Sequence, residues 1–141
     1  MVDQYSVYYM SKYALEYMEK AGKGSIVNVS SIGSQGVAGI SYSAAKAAVN
    51  AMTKNIALQY SPTAIRCNAV APGPTHTPLM APEAFKFFNK EFADACAKHI
   101  DLTVPEAQPE DQAEAILFFA SDVSKAITGQ IVYVDHGCTL Y

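Results

Sequence analysis

The sequence has little charge of either sign and no long apolar run. Its 141 residues are 16% charged, and 13 acidic against 10 basic side chains give a formal net charge of −3. Because a mild acidic excess does not favour polyanions, neither nucleic acid nor an anionic membrane is expected as the main partner. No apolar stretch approaches the ~20 residues of a membrane span. The first residues also lack the basic and apolar regions of a signal peptide.

Cysteine is scarce as well. The three cysteines, Cys67, Cys96 and Cys138, are odd in number and widely spaced. They form neither a disulfide framework nor a Cys-x-x-Cys metal pair, so a reducing cytosol is the expected location. The histidines are equally dispersed along the chain, and no metal site is predicted.

Apolar residues, by contrast, make up 50% of the chain. This content gives a single domain of this length enough material for a core, and it excludes intrinsic disorder. The sequence contains no internal repeat and no domain boundary, so residues 1–141 are interpreted as one unit.

Two periodicities alternate along this unit. Predicted helices carry apolar residues three or four positions apart, and predicted strands are short β-branched runs bounded by glycine, serine or proline. In order, the elements are a helix over 3–20, a strand over 25–29, a helix over 42–60, a strand over 65–70, helices over 82–99 and 109–120, and a strand over 130–134. This alternation predicts the α/β class, with a parallel sheet of about three strands and covering helices.

The helix predicted over 82–99 places several large side chains roughly on one side. These are Phe85, Phe88, Phe92 and Cys96, with Phe87 close by. The aromatic side either packs on the core or covers a substrate, and the sequence leaves both possibilities open.

Three polar side chains point to chemistry. Tyr42 and Lys46 lie four residues apart on a predicted helix and therefore share one face. An ammonium beside a phenol stabilises the phenolate, which makes the pair a usable general acid/base. Ser31, just after a strand, either hydrogen-bonds a substrate oxygen beside Tyr42 or satisfies backbone groups of its loop. By itself Tyr-x-x-x-Lys is a weak motif.

The surrounding sequence makes the pattern specific. Four blocks occur in order: GSIVNVSS at 24–31, YSAAK at 42–46, IRCNAVAPG at 65–73 and TGQIVYVDHG at 128–137. This series resembles the C-terminal half of the short-chain dehydrogenase/reductase family, and the resemblance extends over residues 1–141. It implies part of a Rossmann fold and an oxidoreductase that interconverts a secondary alcohol and a ketone.

The resemblance also implies roles for individual residues. Tyr42 would exchange a proton with the substrate oxygen, Lys46 would hold the nicotinamide ribose, and Ser31 would orient the substrate oxygen. Pro72 and Gly73 would line the nicotinamide.

The remaining cofactor contacts implied by the resemblance are Thr75 at the carboxamide, Thr77 nearby, and Tyr42 together with Lys46. The cofactor would be NAD or NADP, since the residues that distinguish them belong mainly to the other half of the family's fold. The resemblance further implies a small-molecule alcohol or ketone substrate and a homo-oligomer whose subunits pack through the first two helices.

Two positions depart from the family pattern. The eleven-residue step from Ser31 to Tyr42 is shorter than usual, which makes Ser30 and Ser34 alternative candidates for the serine. The family often has a catalytic asparagine on the first helix of this half, and ungapped counting from Gly24 places Gln4 there.

No glycine-rich phosphate loop of the G-x-G-x-x-G type occurs in the sequence. A dinucleotide fold needs such a turn after its first strand. The sequence is therefore expected to hold the catalytic half without the dinucleotide-binding half, to bind cofactor poorly alone and to aggregate through an open sheet edge.

Two alternatives remain, the first of which follows from the missing half. One is a truncated, non-catalytic remnant or an oligomerising partner of complete relatives. The other is a nucleotide-sugar epimerase that uses the same Tyr-Lys pair, which fits less well because such enzymes usually carry a further substrate domain.

Overall fold

The computed structural model describes residues 2–80 and 89–140. Three parallel strands form one sheet in the order β1-β2-β3. The strands are β1 (Lys23–Val29), β2 (Ala64–Pro72) and β3 (Ile131–Val134), and the helices are α1 (Val2–Ala21), α2 (Ile40–Tyr60), α3 (Lys90–Cys96) and α4 (Pro109–Ala120). The predicted α/β class with a parallel sheet is confirmed.

Helices cover both faces of the sheet. Side chains alternate between the two faces along a strand. On β1 the Asn28 amide donates to Thr53 of α2 at 2.9 Å, whereas the Ser25 hydroxyl donates to the Phe119 carbonyl of α4 at 2.8 Å. Helices α2 and α4 therefore lie on opposite faces, and α1 packs beside α2.

Strand β2 forms the centre of the core. It is paired on both sides, and its residues from Ile65 to Ala71 are all buried. Two of its polar side chains are held by backbone groups: Arg66 donates to the Ser121 carbonyl at 3.0 Å, and Asn68 donates to the Ile127 carbonyl at 2.9 Å. The central strand is thereby hydrogen-bonded to the residue that follows α4 and to the segment that precedes β3.

Strand β1 is an edge of the sheet. Among the described residues it pairs with β2 alone, and its last residue, Val29, is 46% exposed. An unpaired strand edge offers free backbone N–H and C=O groups to a further strand.

The structure corrects one predicted helix. Of the described part of 82–99, only Lys90–Cys96 is helical. Asn89 precedes the helix as its cap, with the side-chain oxygen accepting from the Phe92 amide at 3.0 Å. After Cys96 the chain forms a turn in which the His99 amide donates to the Cys96 carbonyl. No residue of α3 is buried, so Phe92 packs on no core; Phe85, Phe87 and Phe88 lie outside the described residues.

The other predicted elements are present with ends shifted by a few residues. The largest shifts are of two residues. Strand β1 begins at Lys23 and helix α2 begins at Ile40, each earlier than predicted, and strand β2 ends later than predicted, at Pro72. In the part of the chain that the structure describes, no helix is both long and apolar enough to cross a membrane.

Cys67 should resist alkylation in the folded protein. Its side chain is fully buried on β2, and burial raises the pKa of the thiol to about 12, so almost no reactive thiolate forms at about pH 8. After iodoacetamide treatment, peptide mass spectrometry should find Cys67 unmodified and the half-buried Cys96 modified. Adding denaturant should expose both. Equal labelling of the two thiols in the native protein would contradict the buried position of Cys67.

Candidate active site

Lys46 projects from α2 to the carboxyl end of β1. Its Nζ donates to the carbonyl of Val29 at 3.2 Å and lies 5.6 Å from the centroid of the Tyr42 ring. That distance is within the range of a cation–π contact, as the four-residue helical spacing predicted. The Lys46 side chain is only 14% exposed. The ammonium is therefore held largely out of water beside a phenol.

Tyr42 packs on the turn that follows β1 and still reaches solvent. The residue is 43% exposed, and its ring lies against Gly33 in the 3-10 turn Ile32–Gln35. A Cβ at Gly33 would lie 2.9 Å from the Tyr42 ring. The missing side chain at this position makes room for the ring beside Lys46.

Ser31 caps the same 3-10 turn. Its Oγ accepts from the Gly33 amide at 3.0 Å, and a hydroxyl that accepts a hydrogen bond still has its own proton to donate. Gly33 donates to the Ser31 hydroxyl and lies against the Tyr42 ring. The turn therefore places Ser31 and Tyr42 on either side of the same residue.

The two alternative serines hold this loop to α2. The Ser30 hydroxyl donates to the Lys46 carbonyl at 3.3 Å. The Ser34 hydroxyl donates to the Ser31 carbonyl at 2.7 Å and accepts from the Asn50 amide at 2.9 Å. The shortened loop is thus closed by its own serines, and Ser31 remains the candidate for contact with a ligand.

One charged neighbour of Lys46 was not identified from the sequence. Asp3, in the first turn of α1, places its Oδ2 3.7 Å from Lys46 Nζ. Gln4, the residue that ungapped counting selected, is exposed. The sequence carries no signal for this ion pair, because only the packing of α1 beside α2 brings the two residues together.

A second loop leaves the sheet after β2. Pro72 is the last residue of β2 and pairs with Val134. The Gly73 amide then donates to the Val134 carbonyl at 3.1 Å, and a Cβ at Gly73 would lie 2.8 Å from the Cα of Asp135. Glycine is therefore required here by the close approach of two backbones.

Thr75 is fixed on this loop by a residue that sequence analysis missed. Its hydroxyl donates to the Gly73 carbonyl at 2.9 Å and accepts from the Gln112 amide at 3.3 Å. Gln112 is buried on α4 and also donates to the Val134 carbonyl at 2.9 Å. A polar residue on the inward face of a helix is the only sequence signal that could have identified it. Thr77 is exposed.

Both loops lie at the carboxyl edge of the sheet. Val29 lies opposite Val70 in the parallel register, and neighbouring strands are about 4.8 Å apart. The loop that leads from β1 to α2 and Tyr42 and the loop that carries Thr75 therefore begin close together, where open parallel sheets bind their ligands. Within residues 2–80 and 89–140, no group of three acidic, histidine or cysteine residues could hold a metal ion.

Comparison with known proteins identifies the family. Residues 1–139 match the family model described as "Enoyl-(Acyl carrier protein) reductase". The chain belongs to the short-chain dehydrogenase/reductase family. The predicted resemblance is confirmed by this match.

Two curated relatives of the short-chain dehydrogenase/reductase family are 44% identical to the chain. A 7alpha-hydroxysteroid dehydrogenase from Clostridium sardiniense aligns over 137 residues, 96% of this chain and 50% of the relative. A cis-4-hydroxycyclohexanecarboxylate dehydrogenase from Sinomonas cyclohexanicum aligns over 142 residues, 98% of this chain and 54% of the relative. The chain thus spans about half the length of the curated relatives it matches.

A solved structure shows the same fold. The gluconate 5-dehydrogenase from Burkholderia cenocepacia J2315, in complex with NADP and tartrate, superposes with a TM-score of 0.81 at 28% identity. The match covers 99% of this chain and 54% of that structure. It supports the Rossmann-type fold predicted for this chain.

Replacing Gly33 with alanine should destabilise the protein. The new Cβ would meet the Tyr42 ring at 2.9 Å and the Ala38 Cβ at 3.1 Å, and such overpacking costs about 1–3 kcal/mol. Gly39→Ala is the matched control, because nothing lies within 4 Å of a Cβ there and its φ is −54°. Urea denaturation should show the loss for Gly33→Ala and a change within about 0.5 kcal/mol for Gly39→Ala. Equal effects would show that the turn does not pack on Tyr42.

Proposed function

We propose that this chain supplies the catalytic half of a nicotinamide-dependent oxidoreductase that interconverts a secondary alcohol and a ketone. The observation that carries the proposal is the Lys46 ammonium 5.6 Å from the Tyr42 ring centroid, beside a turn capped by Ser31. Family membership supports it, since the curated relatives are named dehydrogenases. The proposed reaction needs one proton acceptor that a substrate can reach, and Tyr42 is half-exposed at the sheet edge.

In the proposed oxidation, Tyr42 is the base. Its phenolate, stabilised by the Lys46 charge, accepts the proton from the substrate hydroxyl as the carbon–oxygen double bond forms. The carbon-bound hydrogen leaves with its electron pair. The Ser31 hydroxyl donates a hydrogen bond to the substrate oxygen and keeps that oxygen beside Tyr42. In the reverse direction Tyr42 returns the proton to the ketone oxygen.

The groups at this edge fit the nicotinamide end of a cofactor. An ammonium has three protons to donate, and within residues 2–80 and 89–140 that of Lys46 makes one hydrogen bond, to Val29, beside its longer pair with Asp3. Donors are thus left for ribose hydroxyls. Pro72, Gly73, Thr75 and Thr77 would surround the nicotinamide from the next loop. When bound, the nicotinamide ring supplies the hydride acceptor or donor; this end is common to NAD and NADP.

The complementary half is proposed to pair with β1. The sequence contains no glycine-rich phosphate loop, and β1 has a neighbour on one side only within the described chain. A parallel strand added at this edge would continue the sheet. It would bring a phosphate-binding turn to the same carboxyl edge as Tyr42.

The proposed substrates are alcohols on saturated rings. Both curated relatives at 44% identity are named for such compounds, a 7α-hydroxysteroid and cis-4-hydroxycyclohexanecarboxylate.

A reducing cytosol is the proposed location, since all three cysteines are free thiols.

The first measurement is a titration of the protein with NADH and NADPH, followed by nicotinamide fluorescence. Saturable binding supports the proposal. Its absence would mean that nicotinamide chemistry requires the complementary half, as the missing phosphate loop predicts, and that these residues alone act as a remnant or an oligomerising partner.

Tyr42→Phe should abolish most turnover, while Lys46 and the loop after β2 would still contact the cofactor. Loss of a general acid/base typically costs about 10²–10⁴-fold in rate, so kcat for oxidation of a ring alcohol should fall by at least about 10²-fold. Tyr17→Phe, an exposed tyrosine on α1, is the control and should keep wild-type kinetics. A Tyr42→Phe enzyme with unchanged kcat would refute the assigned role.

Self-association through α1 and α2 is proposed as well. Five exposed tyrosines lie along α1: Tyr5, Tyr8, Tyr9, Tyr13 and Tyr17. A groove of about 700 Å³ runs between the two helices, lined in part by Tyr8, Leu15, Met52 and Ile56. Tyrosine-rich apolar surface of this kind is typical of protein interfaces.

Tyr8→Lys should weaken this association. A charge introduced into an apolar interface is desolvated without a partner, and the dissociation constant should rise about tenfold or more. The control is Leu117→Lys, which makes the same change at an exposed apolar residue of α4. Light scattering across a concentration series checks both. A monomeric wild-type protein would contradict the proposed interface.

A further inference from the structure

A groove of about 380 Å³ lies at the amino edge of the sheet, opposite the candidate active site. Strands β1 and β2 both begin there, with Lys23 opposite Ala64 in the parallel register. A strand rises about 3.3 Å per residue, so the groove and the Val29 end of β1 are about 20 Å apart. We call this feature the amino-edge groove; the polar and charged residues that line it are Lys23, Ser25, Thr63, Arg66, Asp122 and Lys125.

The amino-edge groove carries an excess of positive charge. Its cations are Lys23, Arg66 and Lys125, and its one acidic residue is Asp122, whereas the whole chain has a formal net charge of −3. None of the ion pairs within residues 2–80 and 89–140 includes any of these four side chains. Asp122 therefore pairs with none of the three cations, and two positive charges of the groove are left in excess.

Arg66 is a buried cation whose hydrogen-bond acceptors are all neutral. The residue is 8% exposed. Its Nη1 donates to the Phe119 carbonyl at 3.0 Å and to the Ser124 hydroxyl at 2.9 Å. Its Nη2 donates to the Ser121 carbonyl at 3.0 Å. A guanidinium has five N–H donors, so these three bonds leave two donors over within the described chain. Because burying a charge is costly, buried charges are normally paired with an opposite charge.

The hydroxyl groups of the groove are already used inside the protein. The Ser25 hydroxyl donates to the Phe119 carbonyl at 2.8 Å, and the Thr63 hydroxyl donates to the Tyr60 carbonyl at 2.7 Å. A ligand of this groove would therefore be held by the guanidinium and the two ammonium groups. Such a ligand must carry negative charge and accept several hydrogen bonds.

We propose that the amino-edge groove binds a phosphate group, either as the free ion or as a monoester. A guanidinium binds two phosphate oxygens at once, and lysines add point charges. A phosphate dianion would balance the two excess positive charges and supply Arg66 with the anion that it lacks in the described chain. The proposal does not depend on the oxidoreductase activity, because no residue of the groove belongs to the candidate active site.

The first test is an NMR titration of the ¹⁵N-labelled protein with inorganic phosphate. It is run at about pH 7.5, where phosphate is largely dianionic, and sodium chloride holds the ionic strength constant. Amide signals of residues 23–25, 63–66 and 120–125 should shift and saturate, with a dissociation constant of about 1 mM or below. Shifts that do not saturate, or that occur mainly in other residues, would overturn the proposal.

Variants of the exposed lysines test the charge without removing the core contacts of Arg66. Lys23→Gln and Lys125→Gln should each raise the dissociation constant for phosphate about twofold to fivefold, and the double variant about tenfold. Lys125→Arg keeps the charge and should restore binding. Asp122→Asn removes a repelling charge and should lower the dissociation constant about twofold. Opposite shifts of this kind would not arise from a general loss of structure, and thermal melts verify that each variant folds.

The matched control is Lys98→Gln. Lys98 is exposed and lies near the other edge of the sheet, since the nearby Asp101 amide donates to the Cys138 carbonyl beyond the end of β3. Its replacement removes the same charge from the chain and should leave the dissociation constant unchanged. Unchanged binding in the double lysine variant, or an equal loss in Lys98→Gln, would overturn the proposal.

Parallel titrations with ribose 5-phosphate and with acetate identify the anion. Tighter binding of ribose 5-phosphate than of inorganic phosphate would assign the groove to a phosphate monoester, and the reverse order would assign it to the free ion. Acetate carries one charge and should bind about tenfold more weakly or less; equal binding of acetate would overturn the assignment to phosphate. No cofactor or alcohol is present in these titrations, so failure of the proposed oxidoreductase function would leave their result unchanged.

Discussion

The parallel pairing of β1 with β2 determines where the two loops of the candidate site begin. Once Val29 lies opposite Val70, the two following loops must start next to each other at one edge of the sheet. Helix α2 packs over these strands, and its lysine reaches the Val29 carbonyl. A slip of one residue in this pairing would turn each side chain of the strand to the other face and would separate the phenol from the loop that carries Thr75.

Much of this arrangement was predictable from local patterns. Helical spacing alone placed Tyr42 and Lys46 on one face, and in the structure Lys46 Nζ lies 5.6 Å from the centroid of the Tyr42 ring. Buried strands were recognisable as β-branched runs, since a parallel sheet is covered on both faces. Helix α3 was the exception: an aromatic spacing that suggested a long helix, either packed on the core or covering a substrate, belongs in its described part to a short exposed helix. Periodicity shows which residues share a side, and it does not show whether anything covers that side.

Contacts distant in sequence could not be predicted in this way. Asp3 contacts Lys46 because α1 and α2 are neighbours, and Gln112 of α4 lies within hydrogen-bond distance of Thr75 on the loop that follows β2. Neither pair has a recurring spacing. Such polar contacts depend on the tertiary packing, which a single sequence does not reveal, although a buried polar side chain needs a hydrogen-bond partner somewhere.

The close contact between Gly73 and Asp135 fixes the base of the loop that follows β2. Up to Thr75, this loop is held to β3 through the Gly73 amide and to α4 through Gln112. For protein engineering, Gly73 and Gln112 are therefore positions to keep when other residues of the loop are varied, because a side chain at position 73 would displace the backbone of Asp135.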